Sequence, residues 1–527
     1  MKTKKTGINL TKLFLYIFFV IAVILPLIEM FRTMAGTDVK KFISSDRFVS
    51  SLINSLKAAS AATVISVGFA SLLAWCVERS GIKGRGIWIT LFTVPMLIPS
   101  ISHGMGLIIS FGTNGFITRL FNSQGNIYGF SGIIAGSFMY SFPAAFLMIS
   151  DVLRYEDSTP YEAASVLGIS GPRRFAAITV PYMRKSMISV IFAVFTMIIT
   201  DYGVPLMVGG QYTTLPVVMY QDVIGMLDFG KGSIIGLVLL FPAFLAFILD
   251  ILNKDKGNMT FTIKPFEKNR GKLRKIIAYT ISSLTAAVIA VPAVSFVLLS
   301  FIKKYPNNMS FSLDNIARAF SLNAGTFLIN SVIIALIVAV TGTLLAAAAA
   351  YITARTGGRT AKVLHLLSVT SLAVPGIVLG LAYVLFFKST FIYGTMAVLV
   401  LVNIIHFVAS PYLMMYNTFS KLNENLEAVG ATLGVSRAGI IARVLIPQSK
   451  HTLAEMFSYF FVNSMMTISA VSFLSTVSTR PLSLMITMFE ATMLLECAAF
   501  VSLLILTANL IIKGIAGLYK RRLVKKS

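Results

Sequence analysis

Hydrophobic residues in this chain gather into long stretches separated by short polar ones. Twelve stretches are long enough to cross a bilayer, which takes about 20 apolar residues of helix. They run over 12–30, 51–77, 87–111, 129–153, 185–206, 232–252, 276–302, 325–352, 363–387, 392–418, 452–476 and 491–518. The first follows Lys2, Lys4, Lys5 and Lys12, and no small-residue cleavage site follows it in 31–36. It reads as a retained span, not a signal peptide. The pattern predicts an all-α polytopic membrane protein.

The pattern also repeats. Ile53–Leu56 (INSL) matches Ile329–Val332 (INSV), AWCVER at 74–79 matches AYITAR at 350–355, and Pro99 matches Pro375, all at one constant offset. Later matches share a second, shorter offset, so the first half carries about ten extra residues, which fit the Gly/Asn-rich loop 112–129. The chain therefore divides into a first six-span half (1–252), a basic linker (253–275) and a second six-span half (276–527). Both halves start in the same direction, so this is a parallel repeat of the kind found in transporters.

Composition narrows the class. Only 12% of residues are charged and mean hydropathy is +0.83, which excludes an ordinary soluble enzyme and a disordered chain. The net charge of +25 is not gathered on one stripe, as nucleic-acid binding would need. With the N-terminus in the cytoplasm, 33 of the 45 Lys and Arg fall on the cytoplasmic side, and both termini lie there. The linker alone carries eight. Two cysteines, Cys76 and Cys497, and four histidines offer neither a disulfide framework nor metal-ligand spacing.

The loops between the fourth and fifth spans of each half are long, cytoplasmic and patterned. The first, 159–181, reads TPYEAASVLGISGPRRFAAITVP. Thr159, Pro160 and Glu162 fit a capping box, Gly168 suits a left-handed helix end, and Ser170 can cap a second short helix that must stop near Pro181. The second, 423–447, reads NENLEAVGATLGVSRAGIIARVLIP. Gly434 and Pro447 keep the same spacing as Gly168 and Pro181. The bilayer gives two loops no reason to share such a spacing.

These residues resemble the EAA loop of the permeases of binding-protein-dependent ABC importers. Glu162, Ala163, Ala164, Gly168, Ile178 and Pro181 match its pattern, with Val180 replacing a leucine. In the second copy Glu427 and Ala428 precede Gly434 and Pro447, and the acidic residue sits one place earlier. The fused two-half arrangement, TMIITDYGVPLMVGG at 196–210 and NSMMTISAVSFL at 463–474 are similar to the iron(III) and 2-aminoethylphosphonate branch. The resemblance implies a bacterial inner-membrane permease that binds no cofactor and uses ATP through a partner. It further implies two copies of an ABC ATPase gripping the loops and an extracytoplasmic solute-binding protein; the scattered basic residues argue for no nucleic acid among the partners. An ion-gradient-driven secondary transporter with an internal repeat is the alternative. It has no use for paired cytoplasmic hairpins and should bury charges for ion coupling.

Other signals carry less. GMLDFGKG at 225–232 lacks the Ser/Thr and the preceding strand of a phosphate-binding loop, so the chain is not expected to hydrolyse ATP itself. His103 and His406 read as packing residues, and the spaced glycines Gly132, Gly136, Gly376 and Gly380 as sites of close helix approach. Pro99 and Pro375 should kink or interrupt their spans. Asp201 inside span five is either a pathway contact or the cap of a broken helix. Thr200, Asp201 and Tyr202 in one half, with Thr467 and Ser469 in the other, are the candidate substrate path. No catalytic constellation and no metal site stand out. Hydroxyls with a single carboxylate suit a phosphonate better than a bare trivalent cation.

Overall fold

The computed structural model describes residues 2–122, 126–253, 264 and 271–524. Most of the linker 253–275, apart from Asn253, Lys264 and 271–275, therefore lies outside the described residues. Among them the fold is all-α. The strands there are a small antiparallel pair, Ile302–Lys304 and Asn308–Phe311. Among the described residues seven helices are long and apolar enough to cross a membrane, and the number rises to ten if each of three bent pairs is one span. These ten coincide with ten of the twelve apolar stretches. The other two fall on Phe229–Asn253 and on Lys450–Met466.

Both proline interruptions are sharp. Arg85–Leu97 and Ser100–Leu120 meet at 96° across Pro99, and Gly358–Ala373 and Gly376–Phe387 meet at 108° across Pro375. Each proline takes an extended ψ, near 151° and 144°, and lies just before a new helix, where its missing N–H costs nothing.

The packing units differ from the sequence halves. One compact unit comprises 1–42, 219–240 and 314–527; the other comprises 43–218 and 241–313. Each half thus lends its first span to the other half's helices. In the first unit the Tyr383 hydroxyl donates to Ala22 O at 2.8 Å, and Gly236 lets Met30 approach closely. In the second, Ser110 and Ser295 share a 3.1 Å hydrogen bond, and a Cβ at Gly106 would stand 2.5 Å from Pro292. Small residues set these approaches because apolar side chains gain little from leaving lipid for protein. The second unit's core joins Ala59, Phe92, Phe142, Phe146, Val194 and Ile289.

The stop expected at Pro181 is corrected. Gly171–Arg174, a π-turn at Phe175–Thr179 and Val180–Ile199 form one continuous segment. The wider π-turn just before the proline relieves the clash between its ring and the preceding turn. The same device recurs at the equivalent place in the second half, at Ile441–Leu445 before Pro447. The span expected over 452–476 is shorter as well, because Thr467 turns extended (φ −64°, ψ 136°) and ends the helix at Met466.

Candidate functional site

Each patterned loop folds as a helical hairpin. The first helix, Thr159–Val166, ends at Gly168 with φ +70°; the second, Leu426–Thr432, ends at Gly434 with φ +71°. Both ends close in the same way. Ile169 N donates to Ala164 O at 3.0 Å and Val435 N to Gly430 O at 2.8 Å, the long bond of a Schellman end. Only a small residue fits under that crossing, and a Cβ at Gly430 would stand 2.4 Å from Ile440. Ala163 and Ala428 face outward, as do Gly168 and Gly434. Leu167 and Leu433, one residue before each glycine, are 77% and 73% exposed.

The capping box expected at Thr159 does not form, and the helix starts one residue earlier. Ser158 occupies the N-cap, and Asp157 Oδ1 accepts from Thr159 N at 3.1 Å and from its hydroxyl at 2.9 Å. Glu162 instead accepts from the Ser158 hydroxyl at 3.1 Å and pairs with Lys264 Nζ at 2.7 Å. The Lys264 ammonium, and then Ser158, hold its carboxyl below the usual range.

A buried arginine ties each hairpin to a spanning helix. Arg79 ends helix Asp46–Arg79, is 4% exposed, and donates to Leu153 O at 2.9 Å and to the Glu156 carboxylate. Tyr161, on the hairpin, bonds both Glu156 and Thr179. Arg355 ends helix Ala324–Arg355. Its guanidinium meets Glu427 Oε1 at 2.9 Å, Leu422 O at 2.9 Å and Asn423 O at 2.7 Å. Burial pushes the Glu427 carboxyl up, but the hydrogen bonds of Arg355 outweigh it and leave it below the usual range. When the two hairpins are aligned on their glycines and prolines, Glu427 stands where Tyr161 does, not where Glu162 does. The one-place slip thus has a geometric meaning. Glu427 faces inward to the arginine, whereas Glu162 faces outward. Arg79, Glu156, Tyr161 and Arg355 escaped the sequence reading, although an arginine closing both AWCVER and AYITAR marks two of them.

The fifth-span segments break at matched places. Val180–Ile199 ends before Thr200, and Lys450–Met466 before Thr467. Asp201 accepts from Gly203 N at 3.3 Å and Val204 N at 3.0 Å, opening helix Gly203–Val208, and bonds the Ser100 side chain. This is the geometry of a broken-helix cap. Thr200 donates to Thr196 O at 2.8 Å, and Tyr202 is fully buried. Thr467 O accepts from the Ser483 hydroxyl at 2.7 Å, and Ser469 O from that of Ser472 at 3.2 Å. Thr200, Asp201 and Tyr202 belong to one compact unit; Thr467 and Ser469 belong to the other. The repeated INS motif braces the segment beyond each break. Asn54 donates to Thr213 O at 3.1 Å and Asn330 to Ser478 O at 2.9 Å; Ser55 and Ser331 accept from Leu215 N and Leu482 N, both at 2.7 Å.

Known proteins are similar in sequence. FbpB 1 of Haemophilus influenzae is 25% identical over 492 residues, covering 89% of this chain and 77% of that protein. The ferric transport system permease protein of Actinobacillus pleuropneumoniae is 25% identical over 492 residues, 89% of this chain and 71% of its own. The thiamine transport system permease protein of Brucella abortus matches 200 residues at 28% identity, 36% of each chain. Residues 66–254 and 342–525 each match the family described as the binding-protein-dependent transport system inner membrane component, one match to each half of the repeat. The chain belongs to that family: it is a fused, two-half, multi-pass inner-membrane permease of an ABC importer.

Proposed function

We propose that the chain carries iron(III) inward, driven by two copies of a separate ABC ATPase and supplied by an extracytoplasmic solute-binding protein. One observation carries the coupling: two equivalent hairpins, each with an exposed leucine at its tip and a buried arginine at its root. ATPase closure would pull both hairpins, and the arginines would pass the pull to helices Asp46–Arg79 and Ala324–Arg355. In this reading Glu162, Ala163, Ala164, Gly168 and Pro181, with Ala428, Gly434 and Pro447, form the docking hairpins, and Glu427 is a positioning residue. ATP acts only in the partner. The ferric relatives support iron(III); no relative reported above supports the phosphonate expected from the hydroxyls. The test is reconstitution with the ATPase and the binding protein. Loaded binding protein should stimulate ATP hydrolysis and drive uptake of radioactive iron(III). Hydrolysis indifferent to the binding protein would sink the proposal.

Two further outcomes are expected. Both termini face the cytoplasm, so a reporter fused at Lys264 should stay inside and one fused at Asn307 should be exported; an exported Lys264 fusion would overturn this orientation. Asp201 acts as a cap, so Asp201→Asn should keep uptake within about twofold while Asp201→Ala costs about 1 kcal/mol of stability. An equal loss of uptake in both, at equal stability, would point to a charge-dependent contact with cargo.

A further inference from the structure

Within the unit that contains most of the second half lies a cavity of about 540 Å³. Its polar lining comes from Tyr220, Tyr393, Ser472, Ser475, Thr487 and Arg480, and the rest is apolar. Arg480 supplies the charge. Its Nη1 lies 3.6 Å from the Met488 sulfur, and among the described residues no carboxylate forms an ion pair with it. Its backbone is fixed, because Asn330 Nδ2 donates to Ser478 O and Arg480 O at 2.9 and 3.3 Å. The repeat breaks at this position. Counted back from the braced Leu215 and Leu482, the equivalent residue is Thr213, whose neighbour Thr214 lines a space of only about 10 Å³ beside Asp201. The framework that holds the segment is shared by both copies, so packing does not call for an arginine here.

A guanidinium without a carboxylate, ringed by hydroxyls at a cavity wall, is a donor set for an oxyanion. A bare trivalent cation would be repelled by it and would seek carboxylate oxygens instead. We propose that this cavity is an oxyanion site on the cargo path, so that iron(III) crosses with a carboxylate or phosphate ligand still attached. The inference rests on the cargo reading above for its iron; the site itself requires only oxyanion chemistry, which a free phosphonate would share.

Binding is tested first, on the whole permease in nanodiscs. The probes are iron(III) with [14C]citrate and, separately, [14C]2-aminoethylphosphonate. Saturable binding of either, weakened about tenfold or more by Arg480→Gln and largely kept by Arg480→Lys, is expected. Binding of the ferric complex alone assigns a chelate; binding of the phosphonate alone keeps the oxyanion site and removes iron as cargo. No binding to the unaltered permease, or equal binding to Arg480→Gln, overturns the site. Uptake is then measured in the reconstituted transporter. Iron and the citrate label should enter together, with both slowed by Arg480→Gln at equal membrane abundance. Entry of iron without the label, at a rate Arg480→Gln leaves unchanged, overturns the proposal even if the importer reading stands. Failure of that reading would show separately, as ATP hydrolysis that the binding protein does not stimulate.

Discussion

Replacing Gly168 and Gly434 together by valine is expected to abolish uptake while the protein remains in the membrane and the ATPase keeps its basal activity. Both glycines sit at positive φ, +70° and +71°, and a Cβ at either would meet nothing within 4 Å. The penalty is therefore conformational and not steric crowding. A β-branched residue held there costs on the order of 1–3 kcal/mol at each site. The hairpin can shed that strain by unwinding its Schellman end, which releases the Ile169–Ala164 and Val435–Gly430 bonds and moves Leu167 and Leu433. Because the strain lies in the backbone, the order of tolerance should be asparagine, then alanine, then valine. Uptake and ATP hydrolysis measured on the same proteoliposomes check this. Unchanged uptake in the double valine variant would remove these glycines from the coupling path.

Arg355→Met should be the more damaging single change. The Arg355 and Glu427 side chains are 3% and 12% exposed. Removing the arginine leaves the half-buried Glu427 carboxylate without its cation and frees the carbonyls of Leu422 and Asn423, at roughly 1–3 kcal/mol. Glu427→Gln keeps an acceptor and should cost less. The double change Arg355→Met with Glu427→Met should cost clearly less than the sum of the singles, because neither charge is then left alone. Arg79→Met should behave in parallel through Glu156 and Tyr161. Thermal stability, recovery of the ATPase complex and uptake are the measurements, and strict additivity would refute the latch. The depressed Glu427 carboxyl also sets the pH window. The pair's contribution is present above the ordinary carboxylate range and is lost only as pH falls through the lowered value, so coupling should not vary around neutrality through this pair.

The hairpins show how far local pattern reaches. A glycine at a fixed distance before a proline is a local signal, and the left-handed turns at Gly168 and Gly434 followed from it. Pro181 was read by the same local logic and that reading failed. A proline ends a helix only if the preceding turn stays α-helical, and a π-turn at Phe175–Thr179 removes the conflict. The acidic residues divide in the same way. Glu162 and Glu427 look alike in sequence, yet one pairs with Lys264 at the surface and the other with Arg355 inside.

By itself the sequence determined the membrane class, the internal repeat, the sites of helix interruption and the two hairpins. The bilayer imposes composition on each spanning segment, and turn chemistry is set by residues a few places apart, so both are written locally. The tertiary structure decided which half's first span packs with which helices, which carboxylate meets each arginine, and that Arg480 lines a large cavity. Those outcomes depend on pairs 72 to 361 residues apart and on the fit of small residues between helices. One lipid-compatible apolar face reads much like another until its partner is in place.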